Sequence, residues 1–422
     1  MTEASQPAVG DTKPSRLMRI AGTAVNLLYG VGLGIAWALF HESLERIGLE
    51  PTGLIALFAM FTSLWLAIAI HEGGHFVAAI IAGMQPFQVR VLRIEGVRRR
   101  HGWSVRWSKS PYHPAGFVAA HPPLADDWRR CFLIFIAGGP LANLLVSAIA
   151  VVAAVWVQAD AMRYALWATA AVHAAPALAS LVPITECDHP TDGAQWLRWR
   201  RGIPVDDPSL AYLRLNAASL QGARADEFEQ VDIDALERAP MPMRLIAHWL
   251  RLLAARNRFD WEAAARHSDA FEEGLRSIEE KQRAAWADLA ALLRAEAAFC
   301  AAFATRDPAP LDAAQPLSAR VRWYVPEMPP RLEALRKGLR GEAAGCLTAL
   351  DDARRHSARS FDRGSERSCN LLYERIAASL GVQVPRPEID SAVAPVDAVT
   401  ISPRTSRTSS SPTASTTAAG GA

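Results

Sequence analysis

The sequence predicts an all-α membrane protein of about four transmembrane helices, carrying a cytoplasmic β-hairpin and followed by a soluble α-helical domain. Three observations lead there. At 422 residues the chain has room for more than one domain. Its mean hydropathy of +0.06 averages an Ala/Leu/Ile/Val-rich part, reaching to about residue 185, with a charged, Arg-rich remainder. Within the first part four stretches, 20–40, 54–82, 131–157 and 164–184, supply about the 20 apolar residues a helix needs to cross the hydrocarbon.

Residues 1–16 form a polar N-terminal segment. The apolar run after them is too long for a cleaved signal peptide and lacks a small-x-small exit, so 17–53 reads as a retained first helix with an external loop. Charge sets the direction of the spans, because cytoplasmic loops collect Lys and Arg. Lys13, Arg16 and Arg19 precede the first span, and Glu42, Glu45 and Glu50 outweigh Arg46 after it. A dense basic set that includes Arg90, Arg93, Arg98, Arg99, Arg100 and Arg106 follows the second span. The connection at 158–162 is nearly uncharged, and Arg198, Arg200 and Arg201 follow the fourth span. This alternation places both termini in the cytoplasm of a multi-pass protein, in a bacterial cell that of the inner membrane.

Between residues 85 and 112, PFQVRVLRIEG and GWSVRWS alternate apolar and basic residues around a turn-like RRRHG, the pattern of a β-hairpin. Such a basic segment would also be drawn to anionic lipid. From about 204 to 384 the pattern is helical. Asp207-Pro208 suits a cap and first turn, Gly222 a stop, and 244–256, 261–275 and 331–339 have amphipathic spacing. Helix-pair repeats would fit, although no fixed period recurs. The Pro-, Ser- and Thr-rich stretch 385–422 has the composition of a disordered tail. A net charge of +2 speaks against nucleic acid as a partner, and five scattered cysteines make neither a disulfide framework nor a Cys-type zinc site.

The second span contains His71-Glu72-Gly73-Gly74-His75. At i and i+4 of a helix both imidazoles can bind one zinc ion, and Glu72 falls beside them, where it can take a proton from water. Charged groups inside an apolar helix cost on the order of 2.5–3.5 kcal/mol each, so their presence is a functional signal. The third span opens with Ala137-Gly138-Gly139-Pro140-Leu141-Ala142-Asn143. Its small residues permit close helix approach, Pro140 frees a backbone carbonyl, and Asn143 has no cheap partner in lipid. After Pro183, Asp192-Gly193 offers a carboxylate that can return to the metal, or simply a turn. His173 in the fourth span fits a hydrogen-bonded core histidine. His101, His113 and His121 fit solvated loops, and Trp103, Trp107 and Trp128 interfacial anchoring.

HExxH in one membrane helix, GPxxN in a later one and a Pro-then-DG stretch after the next resemble, as an ordered set, the site-2 protease family of intramembrane zinc metalloproteases. The resemblance covers residues 54–200. It implies a zinc site near the cytoplasmic leaflet, with His71, His75 and Asp192 as metal ligands and Glu72 as the catalytic acid/base. Asn143 and Pro140 would belong to a substrate or helix-packing surface, and the hairpin to a membrane-associated β segment that presents substrate in extended form. Departures are visible: Ser180 stands where the family has Asn, and ITECDHPT separates Pro183 from Asp192. That insertion brings Glu186, Cys187, Asp188 and His189 as rival ligands. Gly193 favours Asp192 by allowing a tight backbone turn, while His189-Pro190 directs Asp188 outward. The expected activity is cleavage of membrane-embedded or membrane-associated proteins within the bilayer, with 204–384 binding a further protein partner. A catalytically silent scaffold of the same fold, holding a client, is the alternative.

Overall fold

The computed structural model describes residues 16–50, 52–108, 115–122, 127–184, 190–379 and 381. The tail at 385–422, residues 1–15, His113 and the candidates Glu186, Cys187, Asp188 and His189 lie outside the described residues.

Four long helices form the first part: α1 (Arg16–Glu45), α2 (Thr52–Ile81), α3 (Trp128–Trp156) and α4 (Asp160–Leu181). Three are long and apolar enough to cross a membrane, over Gly22–Glu45, Gly53–Ile81 and Trp128–Trp156. Their outward faces carry exposed Leu27, Phe58, Ile81, Leu145 and Val155, an apolar belt that water would not tolerate at this extent. The expected fourth span matches α4, which is not among the three. Its composition explains why: its buried residues are mostly alanine, with His173 and Pro176, and it packs against α1 and α3. A helix that meets helices instead of lipid needs small residues more than hydropathy. A Cβ at Gly32 would lie 2.4 Å from the Cβ of Ala175, and one at Gly74 2.3 Å from the Gly138 carbonyl oxygen. These contacts bring α1 to α4 and α2 to α3 at near-backbone distance.

The expected hairpin is instead a four-stranded antiparallel sheet in the order β3-β2-β1-β4, built from β1 (Gln85–Val91), β2 (Ile94–Arg99), β3 (Gly102–Trp107) and β4 (Gly116–His121). The turn at RRRHG is present between β2 and β3. A second one, with Leu92 at φ 51°, splits what reads as a single strand. β4 escapes the sequence pattern because GFVAAH does not alternate. His121, expected to be solvated, is buried at the end of β4 beside the rings of Phe87 and Phe361.

Two short helices lead away: α5 (Asp192–Arg201) and α6 (Pro208–Gln221). α6 starts where expected, with Asp207 accepting from the Ser209 N–H, and stops at Gly222 in the left-handed region (φ 116°). Ten further α-helices run from Gln230 to Ser379, including Arg244–Asn257, Trp261–Ser277 and Met328–Leu339 at the amphipathic stretches. This helical part touches the sheet. The Tyr324 hydroxyl donates to Glu95 on β2, Trp323 Nε1 donates to Ser104 Oγ at 3.1 Å, and Arg100 Nη1 donates to Glu366 Oε1 at 3.0 Å.

Candidate metal centre

His71, Glu72 and His75 lie on α2, where it packs against α3. Asp192 opens α5, and it is held there by its neighbours. Thr191 caps the helix, accepting from the Ala194 N–H, and its hydroxyl donates to the Val182 carbonyl at 2.6 Å. The Ile184 N–H donates to Thr191 Oγ1 at 3.0 Å, which fastens the chain after α4 to the start of α5. Gly193 is required for a reason other than a tight turn: it is helical, and a Cβ on it would stand 2.0 Å from the Leu181 carbonyl oxygen. α5 therefore backs directly onto the end of α4.

The result is a convergence of donors. His71 Nε2 lies 3.0 Å from Asp192 Oδ2, His75 Nε2 3.5 Å from Asp192 Oδ1, and the two Nε2 atoms 3.2 Å apart. One ligand atom from each residue falls within 4.8 Å of the others. Ligands at the usual zinc distances around a tetrahedral ion stand ~3.3 Å from one another, so this donor set fits zinc. His75 Nδ1 lies 2.9 Å from the Phe135 carbonyl oxygen, which can only accept. The ring therefore carries a proton on Nδ1 and, when neutral, presents the Nε2 lone pair to His71 and Asp192, the orientation a ligand needs. Beside it Glu72 is buried, and its Oε2 has no hydrogen-bond partner among the described residues. Two carboxylates and two imidazoles this close, with no arginine or lysine paired with them among the described residues, make a site suited to a cation.

Two glycines shape the space. A Cβ at Gly139 would come within 2.4 Å of His75 Nε2 and 2.8 Å of His71 Nε2. One at Gly116, the first residue of β4, would come within 2.4 Å of Glu72 Oε1. The site opens into a cleft of about 580 Å³, lined in part by Val25 and Tyr29 of α1, Phe117 and Val118 of β4, and Gln195 of α5. Asn143 does not line it. Fully buried, it accepts from His173 Nδ1 at 3.0 Å, tying α3 to α4, while its Nδ2 has no partner among the described residues. Pro140 is likewise buried within α3.

The HExxH spacing and the DG pair thus meet in space, whereas Asn143 and Pro140 stand apart from the cleft in helix packing. Sequence reasoning missed Tyr29, Gly116 and Thr191. Only Thr191, a threonine directly before an acidic helix start, carried a readable capping signal. Comparison with protein-family models, curated proteins and solved structures returns no match for this chain.

Proposed function

We propose that this chain is a zinc endopeptidase of the site-2 protease type, cutting membrane-embedded or membrane-associated proteins near the cytoplasmic leaflet. The observation that carries the reading is the meeting of His71 and His75 with Asp192, 121 residues along the chain from His71, at the side of a buried Glu72 on a membrane-length helix. When bound, zinc supplies a water acidic enough to ionise near pH 7 and a positive charge for the scissile carbonyl. His71, His75 and Asp192 hold the ion, and the Phe135 carbonyl keeps His75 in the ligand tautomer. Glu72 takes the proton of the attacking water and delivers it to the leaving amine. Its unpartnered Oε2 is free to do so.

A substrate helix must unwind before it is cut, and the sheet supports that step. β4 is an edge strand, and its first residue touches Glu72. An extended segment added along β4 would have its backbone groups satisfied while passing the cleft. In this reading α4 is a fourth span, since 22 residues at about 1.5 Å each reach ~33 Å. The membrane would then be crossed four times, with both termini on the cytoplasmic side.

Glu72→Gln tests the proposal. The variant should retain about one zinc per chain while cleavage falls on the order of 10²–10⁴-fold. Comparative membrane proteomics of cells carrying wild type or Glu72→Gln would reveal the substrate as a protein that accumulates uncut. Undiminished cleavage by the variant would sink the protease reading.

A further inference from the structure

We propose that the arginines where α3 meets α5 form a binding site for the phosphate of an anionic phospholipid beside the cleft. The inference rests on the membrane placement of α3 and not on proteolysis. α3 has 29 residues, ~43 Å of helix against a hydrocarbon core of about 30 Å, so both its ends reach headgroup depth. Trp128 and Trp156 mark those two ends, as interfacial tryptophans do. Directly after Trp128 come Arg129 and Arg130, both exposed, with the N-cap Asp127 just ahead of them accepting from the Arg130 N–H at 3.3 Å. Cations at a helix N-terminus oppose the macrodipole, so this placement works against the helix that carries it.

α5 brings the rest. Arg129 donates to the Arg200 carbonyl, which joins the two helices, and the Arg200 guanidinium lies over the Trp196 ring at 5.3 Å. Trp199, buried, stacks on Phe132 of α3 at 4.2 Å and fixes the approach. Of the α5 arginines Arg198 is neutralised by Asp207 at 2.8 Å. Arg129, Arg130, Arg200 and Arg201 are exposed, and among the described residues none of them pairs with a carboxylate. Four exposed guanidinium groups at headgroup depth, unpaired with any carboxylate side chain among the described residues and with indoles beside them, are the chemistry that recognises a phosphodiester. Trp199 and Arg198 also line the cleft, so a lipid held here would border the route of a substrate.

The test uses the purified full chain in detergent, with native mass spectrometry counting retained lipid after addition of phosphatidylglycerol or phosphatidylcholine of equal acyl chains. Wild type should retain phosphatidylglycerol at least tenfold better. Each arginine is expected to contribute roughly fivefold, so Arg130→Gln/Arg201→Gln should lose about 25-fold, whereas Arg130→Lys/Arg201→Lys should stay within a few-fold of wild type. Among the described residues neither side chain makes a hydrogen bond or ion pair, and unchanged zinc content and thermal melting would show the fold intact. Equal retention of both lipids by wild type would overturn the proposal. So would an equal loss in Arg266→Gln/Arg355→Gln, far along the helical part, or complete displacement by millimolar glycerol phosphate, which would mark a site for soluble anions. Because no cleavage is read, the outcome stands apart from the fate of the protease reading.

Discussion

A methyl group added at Gly139 would point between the two imidazoles, 2.4 Å from His75 Nε2 and 2.8 Å from His71 Nε2. Gly139→Ala should therefore empty the site, and metal analysis of the purified variant showing wild-type zinc would contradict the ligand assignment. Gly116→Ala separates the two functions, because its Cβ would strike Glu72 and not the ligands. Zinc should remain, while turnover falls by up to about 10²-fold, the usual consequence of displacing a reacting group by an ångström. Asp192→Ala removes one of the three proposed protein ligands and should weaken zinc by more than the 10–100-fold typical of an outer-shell partner. Asp188→Ala should stay within that range. Zinc titration of both variants decides, and the opposite ranking would place the metal on the insertion.

At the scale of elements, the sheet is held from both sides. One edge begins at Glu72, and the residues of β2 and β3 are gripped by the helical part. Glu95, fully buried, accepts from Gln88 Nε2 at 3.0 Å, from Arg106 Nη2 at 2.7 Å and from the Tyr324 hydroxyl. The Arg106 guanidinium lies over Trp323 at 4.4 Å. Burial alone would raise the Glu95 carboxyl, but the hydrogen bonds from Tyr324, Arg106 and Gln88 hold it below its ordinary 4.5. Burial and Glu95 push the Tyr324 phenol up to about 12, so it remains a donor throughout the physiological range. A carboxyl whose folded value is depressed stabilises fully above its unfolded value and loses that contribution as pH falls through the folded one. Hydrogen exchange in β2 and β3 should therefore be the same at pH 5 as at pH 8, apart from the chemical rate, and rise only below about 4.5. Tyr324→Phe should raise exchange in both strands at neutral pH and increase KM more than it lowers kcat, with zinc unchanged. Exchange confined to residues 319–324 would show that the contact does not restrain the sheet.

This junction also marks where the sequence stops being readable. His71 and His75 announce themselves through i,i+4 spacing, a local property, and Asp207, Gly222 and the amphipathic helices through caps and period. Tyr29, Gly116 and Tyr324 acquire their meaning from packing across tens to hundreds of residues, and no window of sequence contains both partners. GFVAAH reads as nothing in particular until β1 pairs with it.

For the whole molecule the open quantity is the number of crossings. Three helices have the length and hydropathy to span, and three crossings would leave the chain beyond α5 on the side opposite its N-terminus. α4 decides between odd and even. It carries Asp160 and Arg163 at one end and small residues along its body, and it is walled in by α1 and α3. Ser43 Oγ donates to the Ala161 carbonyl at 2.7 Å, and Arg46 Nη1 donates to Asp160 at 3.2 Å, so the start of α4 is fastened to the end of α1. The end of α4 lies against α5 through Leu181 and Gly193, at the level of His71 and His75. Those two His lie near the end of α2 that leads into the sheet, whereas the end of α1 joins the beginning of α2. α4 thus runs from one level of the bundle to the other, as the proposed fourth crossing requires, and four crossings would return the chain to the face it started from. The positive-inside rule predicts that face to be cytoplasmic. A reporter fused after Arg201 should give a cytoplasmic signal, and one placed beside Glu50 an external signal. An external signal from the Arg201 fusion would reduce the crossings to three and part Asp192 from His71 and His75 across the membrane, overturning the proposed metal centre.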